Sequence, residues 1–123
     1  MKLFFGISLT WGLLFLSSCT NNSVEVIAPS PSGCDTTDMT YSVNIAPIFT
    51  KHGCLDCHSA QVATSGIVLD NYNDVSANAD VIMPSLAWPS GYPSSKKMPP
   101  GGPQVTACEI HQFIAWMNQG KTQ

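Results

Sequence analysis

The chain has 123 residues with five Lys, no Arg and eight Asp or Glu, for a net charge of −3. One small domain fits that length, and so mild an acidic balance, without a basic patch, argues against nucleic acid as a partner. Nine Pro and nine Gly predict few helices and long loops, with a core that is marginal by itself.

Met1-Lys2 and the apolar run Leu3 to Leu16 put one charge before a stretch too short and too one-sidedly flanked for a membrane span, so residues 1–18 read as a secretory signal. Its end, Leu16-Ser17-Ser18-Cys19, resembles the bacterial lipobox. That resemblance implies cleavage before Cys19 and a diacylglycerol on its thiol; ordinary cleavage with Cys19 left free is the alternative. Acyl chains would anchor the protein, since each buried CH₂ contributes ~0.8 kcal/mol. Loss of Lys2 leaves four Lys against eight acids. Residues 19–33 hold Asn, Ser and Pro with few large apolar groups, the composition of a flexible tether. The folded part spans 34–121.

Thr40 to Cys54 contains the first predicted helix, with Asn44 or Ser42 as cap, Pro47 in its first turn, and Ile45, Ile48 and Phe49 on one side. It runs into Cys54-Leu55-Asp56-Cys57-His58. Two thiols three positions apart with an imidazole directly after form the c-type haem attachment pattern. Each thiol adds to one vinyl group, so the pair must sit about one helical turn apart. His58 then lies under the iron as proximal ligand. A zinc site would need two further ligands, usually a second close pair, and a thioredoxin-like dithiol would want a βαβ context. His52 reads as an exposed or haem-edge side chain. Export places the domain where disulfides persist. With Cys54 and Cys57 on haem and Cys19 on lipid, Cys34 and Cys108 remain as the expected bridge, worth about 2–4 kcal/mol for a loop of about 75 residues.

Ser65 to Asp70 reads as a turn and a short apolar run covering one haem edge. Asn71 to Ala79 predicts a short helix capped by Asn71 or Asn73, with Tyr72, Val75 and Ala79 inward. Val81 to Lys97, with its prolines and serines, reads as loop whose Met83, Leu86, Trp88 and Tyr92 line the haem crevice. Met98-Pro99-Pro100-Gly101-Gly102 follows. A His-ligated c haem commonly takes Met as its second ligand, and prolines after Met98 stiffen the backbone that would carry the sulfur. Met83, Met39, Met117 and His111 are the competitors. Val105 to Gly120 is the clearest helix: Thr106 and Glu109 match a capping box, Ile110, Phe113, Ile114 and Met117 form a stripe, and Gly120 ends it.

Together these pieces resemble a class I monohaem cytochrome c. Tyr41-Ser42-Val43 with Pro47-Ile48, Gly66 to Tyr72, the Met98 to Gly102 run, and Cys108-Glu109-Ile110 with Trp116 and Gly120 are similar to small lipoprotein c-type cytochromes of Bacteroidetes-like bacteria. The resemblance covers about residues 34 to 120. It implies an all-α, cytochrome c-like fold: few short helices and long loops wrapped around one covalent haem c, with Cys54 and Cys57 as thioethers and His58 and Met98 as iron ligands. The implied protein is not an enzyme. It is a lipid-anchored electron carrier facing the periplasm or cell envelope, meeting redox partner proteins. One departure from the family is that Gly53 stands between Phe49 and Cys54, placing the first haem cysteine one residue later than is common there and leaving the helix end open. The rivals are a haem enzyme or a gas-binding or sensing module with a displaceable sixth ligand, and a structural zinc lipoprotein.

Overall fold

A computed structural model describes residues 30–123. The expected signal segment 1–18, the expected lipidation site at Cys19 and most of the expected tether lie outside the described residues.

Among the described residues the architecture is all-α. A π turn over Tyr41–Ile45 runs directly into helix α1, Ala46–Lys51; α2 is Leu55–His58, α3 is Tyr72–Ala87 and α4 is Ala107–Asn118. Short 3-10 turns occupy Thr64–Gly66 and Ser94–Lys96. Thr40, rather than Asn44 or Ser42, caps the first helical run: its hydroxyl accepts from the Val43 amide. Asn44 closes the same turn from the other side, its Oδ1 accepting the Thr40 N–H at 2.8 Å. Both donors would otherwise be orphans of the helix start.

The largest correction concerns α3, which continues past Ala79 into the first seven residues of the stretch Val81 to Lys97 expected to be loop and ends at Ala87. Pro84 lies inside it and removes one backbone donor. Burial outweighs that loss. Val75, Ala79, Ile82 and Leu86 fall on one helical stripe, and all are in the core. Asn71 is the N-cap, accepting from the Asp74 amide at 3.0 Å.

α4 packs on α3 and on the Tyr41–Ile45 turn. Trp116 and Phe49 are fully buried and Phe113 nearly so; the Phe113 ring lies 6.2 Å from Phe49 and 5.5 Å from Trp116. Each such side chain contributes about 2–3 kcal/mol by burial. The seam of α4 is therefore rotated from the expected stripe: Phe113 and Trp116 are central, while Ile110 and Met117 are half-buried flanks. Trp116 meets Tyr41 at the start of the first helical run, and its Nε1 donates to the Thr122 carbonyl at 2.7 Å. The capping box at Thr106 and Glu109 forms as expected.

Cys34 and Cys108 are disulfide-bonded, with Cα atoms 5.5 Å apart. The bridge begins a strap along α4. Gln112 donates to the Asp35 carbonyl, and Gln119 both donates to the Thr36 carbonyl and accepts from the Met39 amide. Cys108, Gln112 and Gln119 share one helical face, so the strap runs alongside the helix. A surface hollow of about 500 Å³ opens beside this strap, lined mainly by Thr36, Thr37, Thr40, Gln119 and Thr122. Neither the attachment turn nor the Met98 loop contributes to it.

Candidate haem attachment site

α1 ends in a reversal that aims the first thiol. The Gly53 N–H donates to the Thr50 carbonyl and the Cys54 N–H to the Phe49 carbonyl at 2.9 Å, the paired bonds of a Schellman cap. Gly53 has φ +65°, the left-handed conformation that glycine adopts without strain. The extra residue before Cys54 is thus the C′ glycine of α1. Phe49, fully buried, fixes the helix end, and the thiol-bearing residue starts the next helix.

Cys54 is the N-cap of α2, and the Cys57 and His58 amides both bond to its carbonyl, at 3.3 and 2.9 Å. The two thiols accordingly sit three positions apart on a single turn and are not bonded to each other. Cys57 is exposed and Cys54 half-buried. Burial pushes the Cys54 thiol up, with Asp56 adding to the shift, so it stays neutral.

His58 is only 9% exposed. Its Nδ1 lies 3.1 Å from the Ile67 carbonyl. A carbonyl only accepts, so Nδ1 carries the proton and Nε2 is left with a bare lone pair. The carbonyl is held in place because the chain returns: the Leu69 N–H donates to the His58 carbonyl at 2.7 Å, and the Ala60 N–H donates to Asp70. Residues 59–69 therefore form a closed loop whose job at His58 is to fix tautomer and ring orientation.

Met98 is half-buried against the same core cluster as Cys54, Leu55, Ile67, Met83 and Ile110. Its N–H donates to the Ser85 carbonyl at 2.9 Å, and its carbonyl accepts the Trp88 indole N–H at 3.1 Å. The Met98-Pro99 peptide is cis. Of the competing ligands, Met39 is packed in the core at 3% exposure, whereas Met83 on α3 and Met117 and His111 on α4 are half-buried. Leu86, expected at the crevice, is in the core, and Trp88 and Tyr92 are engaged with Met98 and Ser85.

His52 is neither free nor at the surface. Its Nε2 lies 2.9 Å from Glu109, whose other oxygen receives the Lys51 ammonium at 2.8 Å. Glu109 also accepts from the Thr106 amide and hydroxyl. Burial alone would push its carboxyl up; Lys51, Thr106 and His52 outweigh this and hold it down at about 2. One carboxylate therefore caps α4 and clamps the end of α1, directly upstream of Cys54. The capping box was legible in the sequence, but its second use was not, because no local spacing links residues 51 and 109.

No protein-family model, curated protein or solved structure matches this chain. The site thus rests on its own chemistry. Cys34 and Cys108 are committed to each other. Among the described residues no three His, Cys, Asp or Glu side chains are gathered to hold a bare metal ion. Two unpaired thiols on one turn, an imidazole with a bare Nε2, and a thioether on an anchored loop are a donor set that would fit a covalently bound haem.

Proposed function

We propose that the protein is an electron-transfer cytochrome of the class I monohaem c type, with haem c joined to Cys54 and Cys57 and ligated by His58 and Met98. The observation that carries this reading is His58: buried, immediately after the second thiol, with Nδ1 tied to the Ile67 carbonyl and Nε2 free to donate. When bound, haem c supplies a one-electron couple between ferrous and ferric iron.

The chain's residues do the rest. The α2 turn presents both thiols for thioether formation. The loop 59–69 orients the imidazole. The anchored Met98 loop presents a soft sulfur, which on a bound haem would favour the reduced iron and raise the potential. With His58 and Met98 both holding the iron, no coordination position would be left for substrate, so the proposed role is transfer to and from redox partner proteins rather than catalysis. Cys57 is exposed, so a haem joined to it would have that side open to such partners. The lipobox-like Leu16 to Cys19 supports export and lipid anchoring to a bacterial membrane through Cys19, with the domain on a tether facing the periplasm or cell envelope.

The test is the visible spectrum of protein made in a host able to mature c-type cytochromes. A low-spin reduced c-type spectrum that ignores carbon monoxide is expected. Rapid carbon monoxide binding would point instead to a gas-binding module or haem enzyme, and colourless protein carrying zinc would select the structural zinc reading.

A further inference from the structure

Met98 is tied to α3 on both sides of its own Cα, and the sequence explains why those partners are available. The residue four after Ser85 is Pro89, which has no N–H, so the Ser85 carbonyl lacks its helical donor and takes the Met98 N–H instead. Trp88 ends the helix in a left-handed conformation, φ 51°, with its own N–H on the Pro84 carbonyl. Its indole N–H then donates to the Met98 carbonyl. Further attachments converge on the same turn. The Lys97 ammonium lies 5.1 Å from the Trp88 ring centroid, Tyr92 bonds Ser85 at 2.9 Å, and Gln104 donates to the Leu86 carbonyl. A thioether is a neutral ligand on a side chain with three rotors, so a loose backbone beneath it would have to be ordered at each ligation. Here the backbone is ordered beforehand.

We infer that Trp88 is a positioning residue for Met98: its indole N–H, acting with the Ser85 carbonyl, fixes the backbone that carries the sulfur and so sets how hard Met98 is to displace from iron. This rests on the proposed role of Met98 as second axial ligand.

The experiment titrates ferric protein from a maturation-competent host with imidazole at fixed pH, following loss of the sulfur-to-iron absorption band. Trp88→Phe keeps an aromatic ring for Lys97 and deletes the donor. One hydrogen bond of this kind predicts about a three- to tenfold gain in apparent imidazole affinity. Tyr72→Phe deletes a comparable bond elsewhere, from the Tyr72 hydroxyl to the Lys121 carbonyl at 2.8 Å, and leaves that affinity unchanged. Equal affinity in Trp88→Phe and wild type, or the same gain in both variants, overturns the inference. A wild-type protein without the sulfur-to-iron band overturns the ligand assignment and the inference with it. Should Trp88→Phe not fold, hydrogen exchange of the wild type decides: protection of both the Trp88 indole N–H and the Met98 N–H is expected, and exchange of the indole N–H at the rate of free indole refutes the inference.

Discussion

Glu109→Gln probes the junction that sets the end of α1 against the start of α4. The carboxylate is 8% exposed and receives Lys51, His52 and both donors of Thr106. Its fall from 4.5 to about 2 in the folded protein corresponds to about 3 kcal/mol in favour of the charged form. The Lys51 side chain is 64% exposed, so solvent screens its share and about 2 kcal/mol is the expected contribution. The folded carboxyl titrates below the unfolded one. The stabilisation is therefore complete above pH 4.5 and fades as pH falls toward about 2. Denaturant unfolding of wild type and variant, followed by far-ultraviolet circular dichroism, reads the difference directly. The Gln variant should be about 2 kcal/mol less stable at neutral pH, roughly a 10 °C drop in Tm for a domain of this size, and the gap should close near pH 2. A gap equally wide at neutral pH and near pH 2, or no gap at neutral pH, would refute the account of this carboxylate.

Three further outcomes are expected. Replacing Cys34 and Cys108 together by Ser should lower stability by about 3–4 kcal/mol, because the bridge closes a separation of 74 residues; chemical denaturation under non-reducing conditions measures it. Gly53→Ala meets only Asp56 Oδ2, 3.5 Å from the added Cβ, so its cost comes from the left-handed backbone at φ +65° and should be about 1–2 kcal/mol. Met98→Ala should abolish the sulfur-to-iron band and lower the reduction potential, while Met83→Ala should leave both; the opposite pattern in a potentiometric titration would move the ligand to Met83.

The helical turn at Cys54 to His58, the α4 capping box, the Gly120 terminator and the Cys34–Cys108 bridge were legible because each is written in a short spacing or a count of cysteines. The extent of α3 was not, since Pro84 and the serines around it are loop signals. Only the long-range burial of Ile82 and Leu86 carries the helix through them. The partners of Trp88 and Tyr92, the Met98 carbonyl and the Ser85 hydroxyl, were hidden for the same reason: they come within reach once α3 extends to Ala87. The ion pair of His52 was hidden because its partner Glu109 is 57 residues away. The register of α4 was off by a fraction of a turn: Trp116, left out of the expected stripe of Ile110, Phe113, Ile114 and Met117, is fully buried at the centre of the seam.

The central claim is most directly tested by mass spectrometry of the protein from a host competent in haem attachment. The account predicts an intact mass raised by one haem, carried on the peptide that contains Cys54 to His58 and lost when Cys54 and Cys57 are replaced by Ala. An unmodified mass, or that peptide recovered with both thiols free, would contradict it.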